Sequence, residues 1–384
     1  EWEWEMATEE ELVDELGFPV SAAHQEEFLA QREKRLRADA RQRERCTKFL
    51  RRATEVKNYR RKRTRKIKKV VRLGVPPDLR TDMWMFMSGA DEVQRECDFS
   101  FEELVQHAMQ ICDPIDIESI DKDINRTYPE VHTFPVQGLR RVLLALVAST
   151  TLEYCQGMNY LAGILLLVTQ NEEKAFWLLY TLLIDIIPST VYHLSMRGLK
   201  AEFSIIHSLL ASKRKRICRY LEEMGLEESM YCTQWIICCF CGCTPAEVNC
   251  RILDCLFFEG WKVALRMTLA YLIVHEEKLY EADNVGMVMM DIKKSAMNDH
   301  DVDRLFHCAF RIPRFGKKRI RRLRIRALRE LGQEEHCEIS RSRSEIFAPV
   351  SSQSGGAANG SASGAGDQKS GNGEMASSNS STPT

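Results

Sequence analysis

The spacing of apolar residues through the middle of the chain restricts its fold more than any other sequence feature. Apolar side chains recur three and four positions apart, which places them on one face of an α-helix. Residues 176–183 show this spacing, and so do Leu139, Val142, Leu143 and Leu146. The sequence lacks the alternating apolar pattern of strands bounded by Gly or Asn-Gly turns, and no repeat of about 20 to 50 residues is visible. The sequence therefore predicts an all-α fold.

Charge and composition change sharply along the 384 residues. Residues 1–31 hold ten carboxylates and no Lys or Arg, whereas residues 32–72 hold twenty Lys and Arg and four carboxylates. The basic block contains no Gly or Pro and has weak apolar periodicity, which favours a solvated helix. Residues 351–384 contain 17 Gly and Ser among 34 residues. Their few apolar groups cannot offset the loss of chain entropy on folding.

These changes predict five segments. They are an acidic N-terminal segment (1–30), a basic helical flank (31–69), a helical domain (70–312), a basic amphipathic helix (313–332) and a disordered Gly/Ser-rich tail (333–384).

The chain is expected to be cytoplasmic. Its longest apolar runs, such as residues 160–168, stop at nine residues, far short of the roughly 20 that a membrane helix needs. The acidic N-terminus lacks the basic and apolar regions of a secretory signal, so the 14 cysteines are expected to stay reduced.

Several catalytic and metal-binding motifs are excluded. The sequence has no phosphate loop of the G-x-x-x-x-G-K-[ST] type, no G-x-G-x-x-G, no H-E-x-x-H and no G-x-S-x-G. Asp299, Asp301 and Asp303 imitate the start of a calcium loop, but Arg304 replaces the required Gly and Phe310 the required Glu. The chain is therefore not an obvious nucleotide hydrolase or calcium protein.

Cysteines and histidines do not form a recognisable metal motif. Four cysteines within residues 238–243 suggest zinc, but they lack paired C-x-x-C spacing and lie in an apolar run, which favours small buried residues of a helix. No histidine has a cysteine or acidic residue at ligand spacing. The sequence predicts no metal ligands; the cysteines concerned are Cys238, Cys239, Cys241 and Cys243.

Two short polar segments stand out from the helical background. In residues 120–129, Asp123 and Arg126 lie one helical turn apart. In residues 154–160, Gln156 precedes Gly157, which permits close backbone approach in a tight connection. Taken singly, each segment is also compatible with an ordinary ion pair or an ordinary helix-linking turn.

Taken together, and with residues 74–84, these segments carry three motifs in a fixed order: R-x-x-x-W, I-x-x-D-x-x-R and Y-x-Q. This order resembles the TBC domain of GTPase-activating proteins for Rab small GTPases, over roughly 240 residues. The sequence around the motifs is similar to that of the growth-hormone-regulated TBC subgroup. The motif residues are Arg80 and Trp84, then Ile120, Asp123 and Arg126, then Tyr154 and Gln156.

The resemblance implies a catalytic accessory to a Rab in its GTP form. Arg126 would neutralise charge on the transferring phosphoryl group, and Gln156 would orient the attacking water. Asp123 would hold the base of the arginine, and Tyr154 would support the glutamine loop. GTP and Mg²⁺ would belong to the Rab, so the chain would need no cofactor of its own.

The resemblance also implies that Arg80 and Trp84 tie the first domain helix to the region that bears Arg126 and Gln156. The sequence departs from the family pattern at two positions, and the first of them bears on activity. Glu153 stands where the family commonly has Gly, and its charge would oppose a phosphate nearby. Leu253 stands where Trp is usual. A non-catalytic Rab-binding scaffold is therefore the alternative function, followed by a basic adaptor.

The basic block admits several partners. Residues 32–72 are compatible with a solvated helix, with an anionic membrane surface that would make the protein peripheral on endomembranes, or with nuclear import. Nucleic acid is disfavoured because aromatic residues are not interleaved beyond Tyr59. Complementary charge also raises the hypothesis that residues 1–31 fold back onto the basic block and mask it.

Overall fold

A computed structural model of the chain describes residues 12–55, 65–150, 152–193 and 195–332. Residues 1–11, the basic run 56–64 and the tail 333–384, which the sequence predicts to be disordered, lie outside the described residues.

The described part of the chain is helical, as the apolar spacing predicts, and contains no strand beyond one isolated bridge between Val13 and Pro19. A π-helical turn (Leu182–Ile186) directly follows the helix Glu172–Thr181. The α-helices within these ranges are α1 (Gln25–Glu55), α2 (Arg65–Arg72), α3 (Pro77–Ser88), α4 (Ala90–Glu96), α5 (Phe101–Ile111), α6 (Pro114–Ile124), α7 (Val136–Ala148), α8 (Met158–Thr169), α9 (Glu172–Thr181), α10 (Arg197–Lys213), α11 (Lys215–Glu223), α12 (Glu228–Ile237), α13 (Ala246–Glu259), α14 (Lys262–Val274), α15 (Glu276–Leu279), α16 (Val285–Asn298), α17 (Val302–Arg311) and α18 (Lys317–Glu330).

The core is built from the helices whose apolar spacing is clearest. Leu139, Val142, Leu143 and Leu146 of α7 are fully buried, and α7 packs against α5, α6, α8 and α9. Each such side chain contributes about 1.5–3 kcal/mol by leaving water. The two helices α13 and α14 are buried on almost every side and belong to the same core. Within the described ranges, no helix is both long and apolar enough to cross a bilayer.

The basic flank is attached to the domain along one face. Helix α1 begins before residue 31, and its Cys46 and Phe49 are buried against the core. Gln42 donates from Nε2 to the carbonyl oxygens of Val70 at 2.7 Å and Gly74 at 2.6 Å. The helix is therefore packed on one side rather than solvated all round, because its few apolar residues suffice to line a narrow contact.

The N-terminal segment ahead of α1 lies against the domain. Phe18 packs edge-to-face on Tyr128, with ring centroids 5.0 Å apart. Further along the chain, Arg35 in the third turn of α1 pairs with Glu247 of α13 at 3.2 Å. The Phe18 ring thus contacts Tyr128, which follows α6. The predicted fold-back of residues 1–31 onto the basic block remains a hypothesis.

Candidate functional site

Helix α6 ends in a loop that exposes an arginine. Asp113 caps the start of the helix by accepting from the Ile115 backbone N–H at 2.8 Å. After Ile124 the chain forms a tight turn, in which Tyr128 adopts the left-handed φ of +51°. This backbone conformation ends the helical hydrogen bonding. The following Pro129 cannot continue a helix. Arg126 lies in this terminating turn, as the sequence indicates.

Arg126 is held at its base and exposed beyond it. Its Nε donates to Asp123 Oδ1 at 2.8 Å, and 52% of its side chain remains exposed. The Asp123 side chain is only 6% exposed, and its other oxygen accepts from the Tyr154 hydroxyl at 2.7 Å. Burial, aided by this hydrogen bond to Asp123, raises the pKa of Tyr154, so the hydroxyl remains a donor. Asp123 thus joins Arg126 to the chain that leads to Gln156.

Gln156 lies exposed on the turn that opens α8. The next residue, Gly157, has φ +113°, and a Cβ there would lie 2.5 Å from Ile237 Cγ2. Only glycine accepts both the backbone conformation and this close approach. The turn is therefore fixed in shape while the Gln156 side chain is open to solvent.

A buried hydrogen-bond chain links the arginine and glutamine turns. The Gly157 N–H donates to Asn159 Oδ1 at 2.9 Å, and Asn159 Nδ2 donates to Thr127 Oγ1 at 2.8 Å. The Thr127 hydroxyl in turn donates to the Asp123 carbonyl at 2.7 Å. Asn159 is fully buried. Neither Asn159 nor Thr127 belongs to the three motifs; the one signal for this link in the sequence is a lone Asn at the start of the apolar run in α8.

Arg80 and Trp84 of α3 face a different part of the molecule. Arg80 Nη2 donates to Glu247 Oε1 at 3.3 Å, and its Nε lies 3.7 Å from Asp254 Oδ1. Trp84 Nε1 donates to the same Asp254 oxygen at 2.7 Å, while the Val75 N–H donates to Asp254 Oδ2 at 2.8 Å. Their polar contacts recorded among the described residues tie α3 to α13. The predicted tie to the Arg126 and Gln156 region is therefore corrected: the acceptors come from α13.

The carboxylates of this buried network differ in their proton affinity. Burial raises the pKa of Asp254 to about 6, although the charge of Arg80 and the Val75 and Trp84 hydrogen bonds act against it. For Glu247, burial also acts to raise the pKa, but the charges of Arg80 and Arg35 outweigh it and leave the pKa lowered. Both carboxylates are ionised at neutral pH and balance the buried guanidinium.

The two residues that depart from the family pattern lie in opposite environments, one exposed and one buried. Glu153 is exposed in the extended segment that precedes Gln156, and this segment is fixed by the Tyr154 N–H donating to Asp116 Oδ1 at 3.2 Å. Leu253 is fully buried within α13. The Glu153 charge is thus solvated, and Leu253 fills core volume.

The four clustered cysteines are buried, but they do not lie in a helix as predicted. Helix α12 ends at Ile237, and residues 238–243 form tight turns in which Cys239 and Phe240 have positive φ. Asn249 holds this turn by donating to the Cys239 carbonyl at 3.1 Å and accepting from Cys241 Sγ at 3.3 Å. Burial keeps the pKa of the Cys239 thiol raised. The residues therefore act as small buried groups in a packed turn.

Solved structures with this helical arrangement define the class of fold. The Chlamydomonas flagellar RabGAP TBC domain superposes with a TM-score of 0.64 and 28% identity, over 78% of this chain and 99% of that one. The Ypt/Rab-GAP domain of Gyp1p superposes with a TM-score of 0.55 over 65% of this chain and 91% of that one, at 15% identity. The fold is that of a TBC domain.

The sequence matches the same class. A family model for the Rab-GTPase-TBC domain matches residues 77–280, which are 204 of the 384 residues. The chain belongs to the Rab-GTPase-TBC domain family, as its motifs predict.

Relatives agree with the predicted subgroup. Growth hormone-regulated TBC protein 1 of Homo sapiens is 35% identical over 231 residues, which cover 58% of this chain and 68% of that protein. The protein of the same name from Xenopus laevis is 34% identical over 227 residues, which cover 57% of this chain and 66% of that protein. Small G protein signaling modulator 3 of Homo sapiens is 28% identical over 257 residues, which cover 65% of this chain and 34% of that protein.

Proposed function

We propose that this protein is a GTPase-activating protein that accelerates GTP hydrolysis by a Rab-family GTPase in trans. The observation that carries the proposal is the arrangement around Arg126. Its guanidinium is fixed at one edge by Asp123, which Tyr154 holds in turn, while half of the side chain stays exposed. A guanidinium held at its base and open at its tip suits insertion into the active site of a partner.

The chemistry assigned to Arg126 follows from its charge and shape. Phosphoryl transfer develops charge on the transferring group, and an arginine supplied in trans increases the rate of small GTPases by about 10³- to 10⁵-fold. A planar, permanently charged fork contacts phosphate oxygens better than an ammonium does. Lysine at position 126 should therefore restore little of the acceleration.

Gln156 would act on the attacking water. Its side chain is exposed on a turn that Gly157 and Asn159 hold rigid, and that turn is joined by hydrogen bonds to the arginine turn. Rigid placement matters because orientation of reacting groups lowers the barrier only when it is fixed in advance. We infer that both turns reach the bound nucleotide of one Rab molecule.

GTP and Mg²⁺ would both be supplied by the Rab in its GTP-bound form, so the proposed mechanism requires no cofactor from this chain. The setting would be membrane traffic, with the protein cytoplasmic or peripheral on endomembranes. Basic side chains of residues 32–72 would supply attraction to anionic lipid, at about 1 kcal/mol for each Lys or Arg near the surface.

A non-catalytic Rab-binding scaffold is the second candidate, and Glu153 favours it. This exposed carboxylate precedes the glutamine turn by three residues. A carboxylate near the phosphates of GTP would repel them. Turnover separates the two functions, because an activator works below stoichiometric amounts and a scaffold does not.

The test is single-turnover GTP hydrolysis across a panel of purified Rabs with the full chain in catalytic amounts. We expect at least one Rab to be accelerated, and Arg126→Ala and Arg126→Lys each to remove about 10³-fold of that acceleration. Gln156→Ala should remove about 10²-fold, the typical effect of deleting one group that acts on the transition state.

Arg95→Ala is the matched control, because Arg95 is an exposed arginine paired with Asp91 one helical turn earlier. It should leave the rate unchanged. The proposal fails if no Rab is accelerated, or if Arg126→Ala retains full acceleration. Binding without acceleration would select the scaffold, and recovery of acceleration in Glu153→Gly would identify the carboxylate as the cause.

A further inference from the structure

A cluster of polar side chains lies where three helices meet, and the proposed function does not use it. His207 comes from α10, Cys218 and Glu222 from α11, and Glu228 is the first residue of α12. In the described ranges, His207, Cys218 and Glu222 form the one trio of metal-binding residue types whose ligand atoms all lie within 4.8 Å of one another. His207 thus meets cysteine and acidic partners in space, although the sequence offers it none at ligand spacing.

Two of the distances within this trio are close to those between ligands of one tetrahedral ion. Glu222 Oε1 lies 3.6 Å from His207 Nε2 and 3.2 Å from Cys218 Sγ. Bond lengths of zinc to nitrogen, oxygen and sulfur place neighbouring ligands of a tetrahedral site about 3.3 Å apart for a nitrogen–oxygen pair and about 3.5 Å apart for a sulfur–oxygen pair. The three atoms could surround an ion with only small side-chain adjustments.

Glu228 supplies an outer contact of the kind that metal-binding histidines make. Its Oε1 lies 2.9 Å from His207 Nδ1, and only 17% of its side chain is exposed. A carboxylate here favours the tautomer with the proton on Nδ1 and leaves the Nε2 lone pair directed to the remaining groups. Such carboxylate–histidine pairs fix ring orientation and raise the basicity of the ligating nitrogen.

We propose that this cluster binds a zinc ion through His207 Nε2, Cys218 Sγ and a Glu222 oxygen, with water as the fourth ligand. The mixture of sulfur, nitrogen and oxygen suits zinc, whereas magnesium and calcium prefer oxygen alone. Cys218 is buried, while the His207 and Glu222 side chains are 43% and 55% exposed, so an ion can enter from solvent. The thiol proton passes to solvent when the sulfur binds the metal.

The bound ion would join α10 and α11 directly and α12 through the contact of Glu228 with His207. Helix α12 ends at Ile237, whose side chain lies against Gly157 of the glutamine turn and whose carbonyl accepts from the Tyr192 hydroxyl at 2.5 Å. Fixing the first turn of α12 would therefore stabilise this helix, which supports the glutamine turn. Because the ion binds the folded chain, it should raise the midpoint of thermal unfolding.

The experiment is titration of the full chain, stripped with a chelator, with Co²⁺ followed by optical spectroscopy and with Zn²⁺ followed by calorimetry. We expect one equivalent of Co²⁺ to give the near-ultraviolet charge-transfer band of a cobalt–thiolate bond, and Zn²⁺ to displace it. Cys218→Ser should abolish the band, and Glu228→Gln should keep the band but weaken affinity by about 10- to 100-fold.

Cys97→Ser is the control, since Cys97 is a partly buried thiol outside the cluster. It should bind the ion as the unaltered chain does. If Cys218→Ser fails to fold, His207→Gln decides, because this half-exposed side chain can be changed without opening the core. Absence of a one-equivalent thiolate band in the unaltered chain, or its persistence in Cys218→Ser or His207→Gln, would overturn the proposal.

Discussion

Two arginine–carboxylate pairs in this protein use the same chemical groups in opposite surroundings. Arg80 is 3% exposed and meets Asp254 and Glu247 in the core between α3 and α13. Arg126 is 52% exposed and meets Asp123 at the end of α6. The buried guanidinium is surrounded by acceptors of its own chain, whereas the exposed one keeps donors available. Burial therefore separates an arginine that holds the fold from one that can serve a partner.

The same difference predicts how each pair responds to substitution. Removing one partner of a buried pair leaves an uncompensated charge and costs about 3–5 kcal/mol, whereas an exposed pair contributes about 0–1 kcal/mol. The larger loss of stability is therefore expected at the Arg80 network, which has no proposed chemical role. The four predictions below test this division.

The largest expected effect is the loss of Asp254. Asp254→Ala removes the acceptor of the Trp84 and Val75 N–H groups and one neighbour of Arg80, so the free energy of unfolding should fall by about 3–5 kcal/mol. Asp123→Ala is the matched change at the Arg126 pair; it leaves the part-buried Tyr154 hydroxyl without its acceptor and should lower the free energy of unfolding by less, about 1–3 kcal/mol. Chemical denaturation measures both. Equal losses would show that burial does not separate the two pairs.

Loss of the buried link between the arginine turn and the glutamine turn should rank second. Asn159→Ala leaves the Gly157 N–H without its acceptor and Thr127 without a donor, which should lower the free energy of unfolding by about 1–3 kcal/mol. Because this link also places Gln156, stimulated Rab hydrolysis should fall in the fraction that remains folded. Denaturation and single-turnover rates test the two effects; a stability loss with an unchanged rate would contradict the positioning role of Asn159.

The protonation of Asp254 gives a smaller, pH-dependent effect. Its pKa of about 6 lies above the usual value for an aspartate, so the folded state binds the proton more tightly than the unfolded state. The stabilisation that comes from protonating Asp254 is therefore fully present below about pH 4 and is lost as pH rises through about 6.

Comparison with Asp254→Asn isolates this contribution, because asparagine does not titrate. The stability of the unaltered protein relative to Asp254→Asn should increase by about 1 kcal/mol when the pH falls from about 7 to about 5. Denaturant titrations at the two values measure the difference. A relative stability that falls or stays constant would show that the native pKa of Asp254 is not raised.

The smallest expected effect concerns the arginine at the proposed site. Arg126→Ala should change the free energy of unfolding by less than about 1 kcal/mol, because half of the side chain is exposed and Tyr154 still donates to Asp123. Thermal and chemical unfolding test this beside the hydrolysis assay. A large loss of stability would mean that Arg126 holds the fold as Arg80 does, and would weaken its assignment to a partner.

Local sequence was sufficient for the helices and for the turns that end them. The buried face of α7 follows from apolar spacing, and the arginine turn follows from Pro129 after Asp123 and Arg126. The need for Gly157 is equally local, since its φ of +113° excludes other residues. Family motifs then identified the chain as a TBC domain, which the family match confirms.

Sequence reasoning failed where the partners come from distant parts of the chain. The acceptors of Arg80 and Trp84 lie about 170 positions away on α13, and the buried face of α1 depends on a few residues among many basic ones. His207 meets Cys218 and Glu222 because α10 and α11 pack side by side, not because their spacing forms a motif.

By itself, the sequence determined the helical class, the order of the motifs and the turns that present Arg126 and Gln156, because periodicity and backbone restrictions act over a few residues. The tertiary structure alone decided which arginine is buried, which carboxylates meet it, how Asn159 joins the two turns and where His207 finds its neighbours. Those choices depend on helix packing, which brings together side chains that no local pattern relates.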